Sequence, residues 1–296
     1  MFWIFIVLFG SSLFALSNIF DTYFANRLFK DTPTLIFYSS MFNLFFVPLI
    51  FFFQIPSLPT WSELPFFLLL GLADIGYRYP YYKALQEDDT SIVVSLFSVA
   101  KIFVPLFAFL IVDERLKMSQ YLGFLIIILC SALLTWNGER KIRFNRSLLY
   151  MTTASLILSF EVVIFKYIFT TASWSTGLTW SLVFSFLFSL PLLLSSRLRK
   201  NIVDQIHHFK KNSHFFLLEE LATFGGFAVY TYVLTFIPVT LMEGVASFQP
   251  LFVLLYALLF SRLFPNSFKE KITTRDLIKK GLLFILMVVG VILSVQ

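Results

Sequence analysis

Lys101-Ile102-Phe103-Val104-Pro105-Leu106-Phe107-Ala108-Phe109-Leu110 lies 149 residues before Pro250-Leu251-Phe252-Val253-Leu254-Leu255-Tyr256-Ala257-Leu258-Leu259, and the two runs share Phe, Val, Leu, Ala and Leu at matching places. The same offset sets Tyr81 on Tyr230, Leu85 on Leu234 and Ser98 on Ser247 without a gap. An offset of 143 then sets Leu44, Phe45, Pro48 and Leu49 on Leu187, Phe188, Pro191 and Leu192. Chance identities are common in a chain rich in Leu and Phe, but matched prolines and an ungapped run point to an internal duplication.

Working outward, the 296 residues are 58% hydrophobic and only 14% charged, with 40 phenylalanines. A soluble domain is about 45–50% apolar and about 25% charged, so a water-soluble fold is excluded. Apolar stretches of crossing length fall at about 2–21, 33–53, 64–85, 90–111, 120–136, 147–170, 176–195, 214–236, 240–261 and 278–295. Pro33, Pro65 and Thr90 mark segment starts. The expected fold is therefore an all-α integral membrane protein of ten transmembrane helices, with repeats at 1–138 and 147–296. Five helices per repeat is an odd number, so the second copy must enter from the opposite side. Such inverted repeats meet at a midplane substrate site in secondary transporters.

The start, Met1-Phe2-Trp3-Ile4, lacks a basic n-region and reads as a first membrane helix rather than a signal peptide. The single cysteine, Cys130, leaves no disulfide framework and no thiolate metal site. Loops after the odd-numbered segments, with Lys83, hold 18 of the 23 basic residues, whereas the other side has Arg115 and Lys117. The positive-inside rule then puts both termini outside the cytoplasm, and the expected location is a cell membrane, the inner membrane of a bacterium. The net charge of +6 thus reflects topology and not a nucleic-acid partner. Within 197–213, Leu198, Ile202, Ile206 and Phe209 recur at helical spacing among basic residues. This suits either a surface amphipathic helix or a solvated linker.

Tyr82-Lys83-Ala84-Leu85, then Ser91-Ile92-Val93-Val94-Ser95-Leu96, then Val112-Asp113-Glu114-Arg115-Leu116 with Gln120-Tyr121-Leu122-Gly123, resembles the signature of EamA-type proteins of the drug/metabolite transporter superfamily. With the repeat, the resemblance covers nearly the whole chain. It implies a central cavity lined mainly by segments 1, 3, 4, 6, 8 and 9, moving small metabolites by alternating access, and it is almost silent about the solute. Two departures stand out. Lys101 occupies a place where the family usually has proline, while Pro250 keeps it in the second repeat. Family members are also usually drawn with both termini in the cytoplasm, the reverse of the charge-based orientation.

Ionisable groups at mid-membrane cost from about 2.5 to more than 10 kcal/mol unpaired, which makes each a functional candidate. Asp74, Tyr77, Arg78 and Tyr81 share one helix face, either lining a cavity or fixing packing. Lys101 lies too deep to snorkel and needs an anion, with Glu161, Asp74 or the substrate as candidates. Glu219 and Glu220 point about 100° apart, so one at most faces the cavity. Glu161 and Glu219 are the candidates for proton coupling. Asn18, which the 143 offset sets on Glu161, joins Tyr81, Tyr230 and Gln249 as cavity positions. Gln249 precedes Pro250, which interrupts its helix. Asp21 is expected at the cytoplasmic end of segment 1, Glu243 near an outer helix end in a structural role, and Lys166 snorkelling outward. Trp61, Trp136, Trp174 and Trp180 suit interfacial belts.

No H-E-x-x-H, G-x-S-x-G or P-loop occurs, and His207, His208 and His214 lack ligand partners at metal spacing. The expectation is a non-enzyme without metal or cofactor. Charges of both signs favour zwitterionic or amine solutes, exchanged across a lipid bilayer with proton or cation coupling open. A flippase of lipid headgroups is the alternative mechanism, and a non-transporting scaffold or receptor the alternative class.

Overall fold

The computed structural model describes residues 2–29, 31–88, 90, 93–94, 96–97, 101–134, 146–263 and 274–295. Trp136, Ser98, the motif residues Ser91, Ile92 and Ser95, the repeat junction and much of the basic loops at 135–145 and 264–273 lie outside them. Among the described residues the chain is helical without strands. In order come α1 (Phe2–Tyr23), α2 (Thr32–Phe51), α3 (Leu64–Glu87), α4 (Val104–Val112), α5 (Met118–Leu134) and α6 (Arg146–Ile168). There follow α7 (Trp174–Ser189), α8 (Ser196–Lys211), α9 (Ser213–Leu234), α10 (Val239–Ala246), α11 (Gln249–Leu263) and α12 (Thr274–Val295). Among the described residues, five stretches are long and apolar enough to cross a membrane: Phe2–Leu28, Thr32–Phe51, Arg146–Ile168, Trp174–Leu194 and Val239–Leu259. Lys101–Val112, Met118–Leu133 and Lys280–Ser294 are shorter apolar helices.

Local chemistry sets the helix starts. Asp31 caps α2 by accepting from Thr34 N at 3.0 Å, with Pro33 in the first turn, and Ser173 caps α7 by accepting from Thr176 N at 3.3 Å. Glu63 precedes α3 and accepts from Thr60 N at 2.8 Å. That backbone donor holds the Glu63 carboxyl below the usual glutamate range. A carboxyl with a lowered folded value adds stability above its unfolded value and loses it as pH falls through the folded one. The protein is therefore expected to lose more stability between about pH 5 and pH 3 than its Glu63→Gln variant. Unfolding midpoints of both across that window check it.

The helices pack in reciprocal pairs. α1 lies along α9 and α11, α3 along α6 and α7, α2 on α7, α4 on α6, and α5 on α12. The α5–α12 approach needs glycine, because a Cβ on Gly123 would press on the backbone of Gly290 and Ser294, and one on Gly290 on Ile127. Outward-facing Phe5, Phe9, Leu72, Leu110, Leu129, Leu259 and Ile285 are exposed, as expected where hydrocarbon replaces water.

The basic stretch after α7 is a helix, α8, but its apolar face is largely taken up by the protein. Phe209 stacks on Tyr38 at 4.7 Å, Tyr38 Oη donates to Ile202 O at 2.8 Å, and Asn201 Nδ2 donates to Asp31 at 3.0 Å. Ile206 stays exposed beside Val203, with Arg197, Arg199, Lys200 and Lys210 exposed as well.

Candidate functional site

Among the described residues, two of the expected crossings are interrupted, one by a break and one by a 3-10 turn. The ninth divides into α10 and α11 at Ser247–Phe248, just ahead of Gln249-Pro250, because proline supplies no N–H to the preceding turn. In the fourth, a 3-10 turn at Lys101–Phe103 leads into α4 with Pro105 in its first turn. Glu114 closes the other end of the short piece, accepting from Val239 N at 2.7 Å and Thr240 N at 3.0 Å. The carboxylate of the motif Val112-Asp113-Glu114-Arg115 thus caps the N-terminus of α10 in the other half of the chain. Both orphan amides and the helix dipole favour it there. Glu114→Ala is expected to cost about 1–2 kcal/mol of stability, and Glu114→Gln less, by denaturant titration.

The broken segments border a central cavity of about 1300 Å³, its open side included, together with α1, α3, α6 and α9. Asn18, Asp74, Arg78, Tyr81, Lys101, Glu161, Tyr230 and Gln249 all line it, as do Asp21, Glu219 and Glu243. The α3 face places Asp74 and Arg78 one turn apart, with an ion pair of 3.0 Å and a second contact from Arg78 Nε at 3.2 Å. Arg78 Nη1 also donates to Ser39 of α2 at 2.5 Å, and Ser185 of α7 donates to Asp74. The Arg78–Asp74 pair therefore ties three helices together beside the cavity.

Tyr81 Oη sits 2.8 Å from Asn18 Oδ1 and 2.9 Å from Asp21 Oδ2. Glu219 Oε1 accepts from Ser17 at 2.9 Å and Thr223 at 2.8 Å. Its neighbour Glu220 is not among the cavity-lining residues. Tyr230 Oη shares a 3.0 Å hydrogen bond with Ser11. Glu161 Oε2 is buried without a hydrogen-bond partner, and so is Asn18 Nδ2.

Several expectations need correction. Lys101 pairs with neither Glu161 nor Asp74: its Nζ lies 2.9 Å from Glu243. Glu243 is correspondingly not at an outer, hydrated end but 6% exposed beside the cavity. The break after Ala246 makes α10 only about 12 Å long, so a residue one turn from its start already reaches the interior. Asp21 is likewise internal, at 6% exposure. The wide turn Phe24–Leu28 carries the first span on to Leu28, about 10 Å beyond Asp21. Lys166 turns inward, donating to Leu234 O at 2.8 Å and Ile237 O at 3.0 Å, the free carbonyls at the C-terminal end of α9. Trp174 and Trp180 are anchored by hydrogen bonds to Thr231 and Ser57 O, while Trp61 is exposed.

The sequence profile of the EamA-like transporter family matches residues 1–136. This stretch, a little under half of the chain, is similar to that family, which is part of the drug/metabolite transporter superfamily. The matched stretch runs from α1 to α5 and contains Asn18, Asp21, Asp74, Arg78, Tyr81 and Lys101 of the cavity, so half of the site sits on an EamA-like scaffold. Members of the family are membrane transporters rather than enzymes. A search among curated proteins gives no match. A solved structure described only as "Crystal structure of protein" shares the fold, with a TM-score of 0.63 and 15% identity, over 98% of this chain and 95% of that one.

Proposed function

We propose that this chain is a multi-pass secondary transporter, with ten crossings in two inverted repeats (1–138 and 147–296), moving a small polar amino-acid-like or amine-like solute by alternating access. The observation that carries the reading is the cavity itself, bordered by charged groups from both halves and by two broken helices joined through Lys101 and Glu243. Broken helices at mid-depth are where transporters place solute sites.

The packing supports the repeat. Exchange each helix for its counterpart five crossings away, and α1 on α9 becomes α6 on α3, α1 on α11 becomes α6 on α4, while α2–α7 and α5–α12 map onto themselves. Each of these contacts occurs, as a pseudo-two-fold axis requires. A scaffold without transport would have every internal charge paired, and Glu161 Oε2 speaks against that. Glu161 and Glu219 are the groups proposed for proton coupling. The inner membrane, with both termini outside the cytoplasm, is the placement the loop charges favour.

The test is solute exchange in proteoliposomes containing the purified protein, with and without a pH gradient. Exchange of amino acids or amines is expected, and its loss in the combined Lys101→Ala, Glu161→Gln protein. Exchange untouched by that double substitution would remove the cavity from the mechanism.

A further inference from the structure

We infer that the cavity takes an organic cation, an amine with an apolar body, in preference to an amino acid. This rests on the transporter reading above and names its solute class. Among the described residues, five carboxylates border the cavity, Asp21, Asp74, Glu161, Glu219 and Glu243, against two basic side chains, Arg78 and Lys101. Both cations are already engaged, Arg78 with Asp74 and Lys101 with Glu243. Three carboxylates remain, and burial without a countercharge is costly. Glu219 receives only the hydroxyls of Ser17 and Thr223. Glu161, at 5% exposure, has an oxygen with no hydrogen-bond partner at all.

Tyr81 adds an independent argument. Its single phenolic proton faces two acceptor positions, Asn18 Oδ1 at 2.8 Å and Asp21 Oδ2 at 2.9 Å, and it can donate to one of them. When Asp21 is ionised, its carboxylate is the stronger acceptor. The Asn18 amide, whose nitrogen and oxygen are interchangeable in assignment, then turns to donate to Tyr81 Oη. Its oxygen takes the place where the buried amide atom has no partner. With Glu161 ionised as well, the orphaned amide and carboxylate atoms at the cavity wall are both acceptors, and in that state they call for N–H donors. Ser155 Oγ, also unpartnered there, is a hydroxyl and serves either way.

An ammonium group meets these requirements. A carboxylate on the solute would instead add a sixth negative group where both lysine and arginine are occupied. The rings of Phe14, Tyr77, Phe97, Phe165 and Tyr230 around the cavity suit an apolar body and the face-on approach of a cation.

Two matched trios of probes test the inference at neutral pH: tyramine, tyrosine and tyrosol, and pentylamine, norleucine and pentanol. Within each trio the apolar body is kept and only the polar end changes. Added to the purified full-length protein at high excess over Kd, at least one amine is expected to raise the unfolding midpoint by about 3–6 °C, with its amino acid and its alcohol giving far less. Glu161→Gln, isosteric and measured first without ligand to confirm that it folds, is expected to lose the shift, and Glu161→Asp to keep part of it. Amino acids stabilising as well as the amines, an amine shift that survives Glu161→Gln, or no shift from any of the six would each overturn the cation inference. The proteoliposome exchange assay decides the transporter reading separately, because it includes amino acids and does not depend on these probes.

Discussion

Lys101→Met is expected to cost the protein about 3–5 kcal/mol of stability, the usual price of leaving one member of a buried ion pair alone. The pair is well buried, with side-chain exposures of 15% for Lys101 and 9% for Glu243, and a lone Glu243 would have no other cation at hand among the cavity-lining residues except Arg78, already engaged with Asp74. Glu243→Met should cost a comparable amount for the converse reason. Combining Glu243→Met with Lys101→Met removes both charges together, so much of the loss should return, because apolar replacement of a whole buried pair is often neutral. Denaturant titration of the four proteins in one detergent gives the cycle. Strictly additive losses would mean that the two groups do not depend on each other. Exchange activity separates the roles further. The pair bridges the two broken segments, so the double variant is expected to fold well yet exchange solute poorly, since it lacks the ion pair that a solute or a proton would open and re-form.

The fold was legible where it depends on composition and periodicity, and the site only where its residues lie on one unbroken helix. Asp74, Arg78 and Tyr81 could be placed on a common face because α3 runs through Leu64–Glu87 without interruption, so sequence spacing is spatial spacing. Asp21 and Glu243 were misplaced because helix ends decide their depth. A wide turn after Tyr23 lengthens the first span, and the break at Ser247–Phe248 shortens the piece that carries Glu243. Pro250 did announce that break. The partner of Lys101 could not be read at all, since pairing across two broken segments depends on their packing angle, which no local pattern encodes. Glu114 was visible as a motif residue, but its work as a cap on α10 joins residues 125 apart in the chain. Lys166 failed for a related reason. Snorkelling assumes that water is the nearest good acceptor environment, and the free carbonyls of Leu234 and Ile237 are nearer.

Arg78→Met is expected to destabilise by a similar amount, about 3–5 kcal/mol, and for a reason that lies in geometry as well as charge. The guanidinium reaches both oxygens of Asp74 on its own helix and Ser39 on α2, while Ser185 of α7 completes the shell of Asp74. Arg78→Lys keeps the charge but offers no planar fork. An ammonium can remain on Asp74 but cannot also hold Ser39 in the same geometry, so a loss of about 1–2 kcal/mol is expected. Met, Lys and the combined Asp74→Asn, Arg78→Met protein should therefore rank Lys above the double variant and the double variant above Met. If Met proves as stable as Lys, Asp74 is solvated by water entering the cavity, and the ion pair is a wall group of a wet chamber instead of a structural tie. That outcome would carry over to function. A hydrated Asp74 freed of Arg78 would be a fourth carboxylate open to a cationic solute, so amine binding should then tighten in Arg78→Met. With the tie intact in the wild type, binding should weaken in that variant as α2, α3 and α7 lose their shared anchor.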